Sequence, residues 1–162
     1  MSEMREHLPR KETVQKLLQK ILVWKFMGNM TRALKQRNLT HTELSKAAGR
    51  VASAFNKTIN QVEDLRLSSF LRYWVVISEL TADDNLHEKI VFEELIDEEI
   101  RRMIAVLSDL SYEDQPSHLL ISEREFFIGL RVHVEGLKKK HALGPEESET
   151  YELIAELCER ID

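Results

Sequence analysis

Glu93, Glu94, Asp97, Glu98 and Glu99 place five carboxylates within seven residues, and such a run invites a metal-binding reading. Carboxylates at helical spacing can share a face, but di-iron bundles also need Glu-x-x-His pairs on facing helices. None of the six histidines stands three residues after a glutamate. A solvated acidic face, with no metal, is therefore expected. His87 and His133 are read as surface or boundary residues. Cys158 is the only cysteine, which excludes an internal disulfide and fits a reducing cytosol. Its place beside Leu157 and Ile161 suggests packing. The five glycines are scattered singly, so no phosphate-cradling loop is present, and no serine sits in a nucleophile elbow. The aromatics Phe70, Tyr73 and Trp74 are expected in the core, and Phe126 and Phe127 in the core or, if exposed, at a subunit interface. No catalytic residue, cofactor or enzymatic activity is expected.

The elements that position these side chains are helices. Over 162 residues there are only 5 Gly and 3 Pro, and apolar residues recur at the helical period, so an all-α fold is expected. The best-punctuated segment is Leu39 to Gly49, LTHTELSKAAG. Thr40 and Glu43 form a capping box, and Leu39 and Leu44 a hydrophobic staple. Leu44, Ala47 and Ala48 share the inner face. Gly49 takes the C′ position, where φ is positive. A short helix capped this way is normally followed by another at a steep angle, as in a helix-turn-helix.

Before it, a helix is expected from about Lys11 to Phe26, with Val14, Leu17, Leu18, Ile21 and Leu22 inward and Lys16, Lys20 and Lys25 outward. Gly28-Asn29 then breaks or bends the chain, and a second helix spans about Met30 to Gln36. After Gly49, a helix from Val51 to about Lys57 carries Ala52, Phe55 and Ile59. The next, Leu67 to Leu80, buries Leu67, Phe70, Leu71, Trp74 and Ile77. Thr81 to Asp84 caps a long helix reaching Leu110, lined by Ile96, Ile100, Met103, Leu107 and Leu110. Residues 111–121 form a loop, with Leu119 to Ile121 packed back on the core. Ser122 to Glu125 caps a helix bearing Phe126, Phe127, Leu130, Val134 and Leu137, which ends in Lys138 to His141, cations suited to a helix C-terminus. Gly144-Pro145 starts the last helix, whose Tyr151, Ile154, Leu157, Cys158 and Ile161 point inward.

The formal charge of −5 conceals a division. Residues 1–82 carry 14 Lys and Arg against 7 Asp and Glu, a net of +7; residues 83–162 carry 9 against 21, a net of −12. Two regions follow: 1–81, a helix-turn-helix region with an extra N-terminal helix, and 82–162, an acidic helical bundle for dimerisation or partner binding. A basic surface suits a polyanion. The apolar runs are too short to span a bilayer, and the charged N-terminus lacks the apolar core of a signal peptide. A cytoplasmic protein without membrane contact is expected.

Residues 30–77 resemble the lambda-repressor/Cro (XRE) helix-turn-helix family. The likeness rests on LKQRNLTHTELSKAAG, on Phe55 as the buried residue of the third helix, and on Leu67, Phe70, Leu71 and Ile77 at the spacing of that family's closing helices. A weaker similarity, also in Leu71-Arg72, is to anti-CRISPR autorepressors with a helical C-terminal region. The resemblance implies that Thr40 and His41 lie at the first turn of the second helix, where a phosphate or base edge would be met. It brings Arg50, Ala52, Ser53, Asn56 and Lys57 toward the major groove, with Asn60 and Gln61 beside the backbone. Asn56 would read adenine and Arg50 guanine, while Lys35, Arg37 and Lys57 would meet phosphates. Two departures stand out. Thr58 to Gln61 replaces the family's Glu-Gly turn, and Ala52-Ser53-Ala54 is a small reading surface.

The implied DNA-binding set is thus Thr40, His41, Arg50, Ser53, Asn56, Lys57 and Asn60. The implied function is that of a dimeric, sequence-specific DNA-binding transcriptional regulator acting on double-stranded DNA as a repressor. The alternative is an interaction or inhibitor module, anti-CRISPR-like, whose acidic half engages a protein partner while the helix-turn-helix serves autoregulation or scaffolding.

Overall fold

A computed structural model of the chain describes residues 8–50, 67–82 and 92–160. Among these the regular structure is entirely helical. The helices are α1 (Lys11–Gln36), α2 (His41–Ala47), α3 (Leu67–Ala82), α4 (Phe92–Leu95), α5 (Glu98–Ser111), α6 (Ser117–Ser122), α7 (Arg124–Gly129), α8 (Arg131–Lys139) and α9 (Pro145–Glu159). No helix of the described residues is long and apolar enough to cross a membrane. The all-α expectation holds.

Two compact units emerge from the contact pattern, Met1–Leu22 with Arg102–Asp162, and Val23–Arg101. Both divisions fall within helices, α1 and α5. The units therefore do not follow the charge division near Thr81, which itself lies in the last turn of α3.

In the first unit, Val14, Leu17, Leu18 and Ile21 are buried along the first half of α1. Helix α9 packs against α6 and α7. Its Tyr151, Ile154 and Cys158 are buried, as are Leu119, Leu120, Phe127, Leu130, Val134 and Leu137. Each large apolar side chain buried in this way contributes roughly 1.5–3 kcal/mol. The Tyr151 hydroxyl donates to the Phe127 carbonyl at 3.2 Å, and burial pushes its pKa up to about 12. Cys158 is a packed thiol whose Sγ lies 3.6 Å from the Leu120 carbonyl; burial raises its pKa as well.

Several expectations are corrected in this unit. Lys20 does not point outward. It is buried, and its ammonium donates to both Glu147 oxygens at 3.2 and 3.1 Å. Glu147 also accepts from the Gly144 N–H at 2.6 Å, so one carboxylate caps α9 and pairs with α1. Part of the expected 111–121 loop is helix α6. The single helix expected after Ser122 is divided at Leu130 into α7 and α8, and Glu123 separates α7 from α6.

In the second unit, Gly28-Asn29 does not end the first helix: α1 runs unbroken through both residues. One glycine costs a helix only about 1 kcal/mol, and buried Phe26, Met27, Met30, Ala33 and Leu34 on either side hold it in register. Helix α2 packs against α3, with Leu44, Tyr73, Val76 and Ile77 buried. Leu71, expected inward, is 46% exposed, as Tyr73 and Val76 take the inner face instead. Thr81 lies in the last turn of α3, and residues 83–91, where the next helix was expected to begin, lie outside the described residues. The long helix expected from there is interrupted at Ile96-Asp97, between α4 and α5. The expected helix from Val51 to Lys57, with Phe55 and Ile59, lies outside the described residues.

Candidate nucleic-acid interface

The segment from Arg37 to Arg50 is assembled by local rules that can be followed atom by atom. Asn38, with φ 56°, stands at C′ of α1. Its N–H donates to the Lys35 carbonyl at 3.2 Å, and that of Leu39 to the Leu34 carbonyl at 3.0 Å. These two bonds form a Schellman motif. Asparagine tolerates the left-handed region better than most residues. The chain then extends through Thr40, whose φ of −90° and ψ of 156° suit an N-cap. Its hydroxyl accepts from the Glu43 N–H at 3.0 Å, and Thr40 itself is exposed.

Helix α2 starts at His41, which is half-buried. Leu44 is fully buried, but its companion on the inner face is Ser45, not Ala47. Ser45 is tolerated there because its hydroxyl donates to the His41 carbonyl at 2.9 Å. Ala47 is exposed. Gly49 stands at C′ with φ 72°. Its N–H donates to the Lys46 carbonyl at 2.9 Å, and the Arg50 N–H to the Ser45 carbonyl at 2.9 Å. This second Schellman motif turns the chain sharply, as the sequence implies, and leaves Arg50 exposed.

Of the seven residues singled out for DNA contact, Thr40, His41 and Arg50 are therefore placed at the two ends of α2. Ser53, Asn56, Lys57 and Asn60 lie outside the described residues. Other exposed cations of the same unit include Arg32 and Lys35, three residues apart on α1, Lys46 in the last turn of α2, Arg72 on α3 and Arg101 on α5.

Arg37 is a correction. Instead of reaching outward for phosphate, it is buried, with 4% of its surface exposed. Nη1 donates to the Ala33 carbonyl at 3.0 Å and to Glu94 Oε2 at 3.1 Å, and Nη2 donates to Glu94 Oε1 at 2.8 Å. The planar guanidinium matches the carboxylate in a bidentate pair.

The acidic run is engaged in part: Glu93 and Glu98 are exposed, as a solvated face requires, but Glu94, Asp97 and Glu99 meet side chains of α1. The Asn29 amide, buried on α1, donates to the Leu95 carbonyl and to Asp97 Oδ2, each at 3.1 Å. Lys25 Nζ lies 3.2 Å from Asp97 Oδ2 and 3.9 Å from Glu99. Asp97 Oδ1 accepts from the Ile100 N–H at 3.0 Å, capping α5. Burial alone would raise the Asp97 pKa, but the Ile100 N–H, Lys25 and Asn29 together hold it below its ordinary value. Glu94, Asp97 and Glu99 thus bind the same α1 that was expected to end at about Phe26. No group of three or more potential metal ligands occurs among the described residues.

No family model, curated protein or solved structure matches the chain.

Proposed function

We propose that the chain is a double-stranded-DNA-binding transcriptional regulator of the helix-turn-helix type, acting as a dimeric repressor. The observation that carries this reading is helix α2. It is capped by Thr40, packed against α3, and closed by the Gly49 turn that delivers Arg50 into the segment where a recognition helix would begin. Exposed Arg32, Lys35, Lys46 and Arg50 in the same unit supply the positive charge that phosphate binding requires. Arg50 is the candidate for guanine or phosphate contact, and Thr40 and His41 for backbone contact at the start of α2. Arg37 is left out of this set because Glu94 holds it. Asn56 and Lys57 complete the reading surface in this proposal.

The test is selection of bound duplexes from a random oligonucleotide pool by the purified chain. Enrichment of a palindrome is expected, since a two-fold dimer reads two half-sites about one helical turn apart. No enrichment over unselected DNA contradicts specific recognition.

A second reading has its own support. The outer side of α9 carries exposed Glu146, Glu149, Glu152, Glu156 and Glu159 at helical spacing. Such a stripe suits a basic protein partner, although Glu152, Glu156 and Glu159 already meet Lys138, Arg160 and Arg131. Charge reversal at Glu146 and Glu149 separates the readings: partner binding is lost while duplex binding is kept. Deleting residues 83–162 would be less informative, because it also removes the partners of Arg37 and Asn29.

A further inference from the structure

We infer that the break between α4 and α5 is a conditional joint, kept open by Asn29 and Asp97, and that withdrawing these two side chains joins Phe92–Leu95 to Glu98–Ser111 as one helix. Nothing in the local sequence demands the break. Residues 92–111, FEELIDEEIRRMIAVLSDLS, contain neither Gly nor Pro and are rich in good helix formers. Ile96, Ile100, Met103, Leu107 and Leu110 would line one side of an uninterrupted helix. A helix interrupted at Ile96-Asp97 in such a sequence needs a cause from outside it.

The cause is visible on both sides of the joint. In a continuous helix the Leu95 carbonyl would accept from the Glu99 N–H four residues on. Instead it accepts from the Asn29 amide. The break also leaves the first turn of α5 without intrahelical acceptors, and Asp97 supplies one to Ile100. Asn29 binds Asp97 Oδ2 as well, so a single side chain on α1 satisfies the last turn of α4 and orients the cap of α5. Lys25 adds a cation to the same oxygen. The joint therefore makes the course of the chain at residues 96–97 depend on side chains some 70 residues earlier, those of Lys25 and Asn29. Anything that draws these two away from Asp97 favours the straight helix. This inference does not rest on the DNA-binding proposal.

Amide hydrogen exchange at Glu99 in the full chain reads the joint directly. In the variant carrying Asn29→Ala and Asp97→Ala, Glu99 exchange is expected to slow about tenfold or more, because its N–H gains the Leu95 carbonyl. Glu99 exchange that is unchanged or faster in the double variant overturns the inference and makes Asp97 an ordinary cap. Should the double variant fail to fold, Asn29→Ala alone decides the matter: slowed exchange at Glu99 supports the joint, and an unchanged or raised rate overturns it.

Discussion

Asp97 shows how much one side chain can carry when its partners come from distant sequence. One oxygen caps α5 and the other receives Asn29 and Lys25. Its depressed pKa has a definite consequence for acid stability. A carboxyl whose folded pKa lies below its unfolded value contributes stability that is fully present above the unfolded value, 3.8. That contribution is lost as pH falls through the folded value. Asp97→Asn is therefore expected to flatten the fall in melting temperature below about pH 4, while changing the profile little in shape at neutral pH. Thermal denaturation across that range checks it, and parallel acid limbs for the two proteins would count against it. Arg37, Asn29 and Glu94 were not legible as a set, because periodicity shows which residues face inward but not which polar residue meets which. Glu94, Asp97 and Glu99 looked solvated for the same reason. A buried Asn or Arg looks like a surface residue until its acceptor, 57 to 68 positions away, is in place.

At the scale of the helix, the ends were more legible than the extents. Thr40, Gly49 and Gly144-Pro145 act as their residue types imply, since caps are settled within four or five residues. Gly28, by contrast, was read as a break or bend, and the surrounding apolar contacts carried α1 through it. Tertiary packing outweighed a cost of about 1 kcal/mol. A third Schellman motif, closed by the Ala142 N–H on the Leu137 carbonyl at 2.9 Å, puts His141 at φ 55°. Two substitutions follow from these ends and extents. Gly28→Ala is expected to stabilise by roughly 0.5–1 kcal/mol, since a Cβ there meets nothing within 4 Å. His141→Gly is expected to stabilise by about 1 kcal/mol by relieving the left-handed backbone. Urea denaturation of each single variant measures the gain, and a loss at Gly28 would mean that α1 needs a flexible point there.

Over the whole molecule, the charge division near Thr81 was plain in the sequence, and the compact units were not. Helices α1 and α5 each belong partly to one unit and partly to the other, and Glu94, Asp97 and Glu99 from the acidic half neutralise Lys25 and Arg37 of the basic half. Charge blocks follow the chain, whereas packing follows the faces of helices. The positive charge left exposed at Arg32, Lys35, Lys46 and Arg50 is what the DNA-binding proposal requires of the second unit. The most direct measurement is the affinity of the intact chain for duplex DNA over a range of salt concentrations. Binding should weaken linearly on a log–log plot with a slope of several units, and Arg50→Ala should reduce that slope by about one. Affinity that is unmeasurable at low salt, or that is unaffected by both salt and Arg50→Ala, would contradict the proposal that this chain binds DNA.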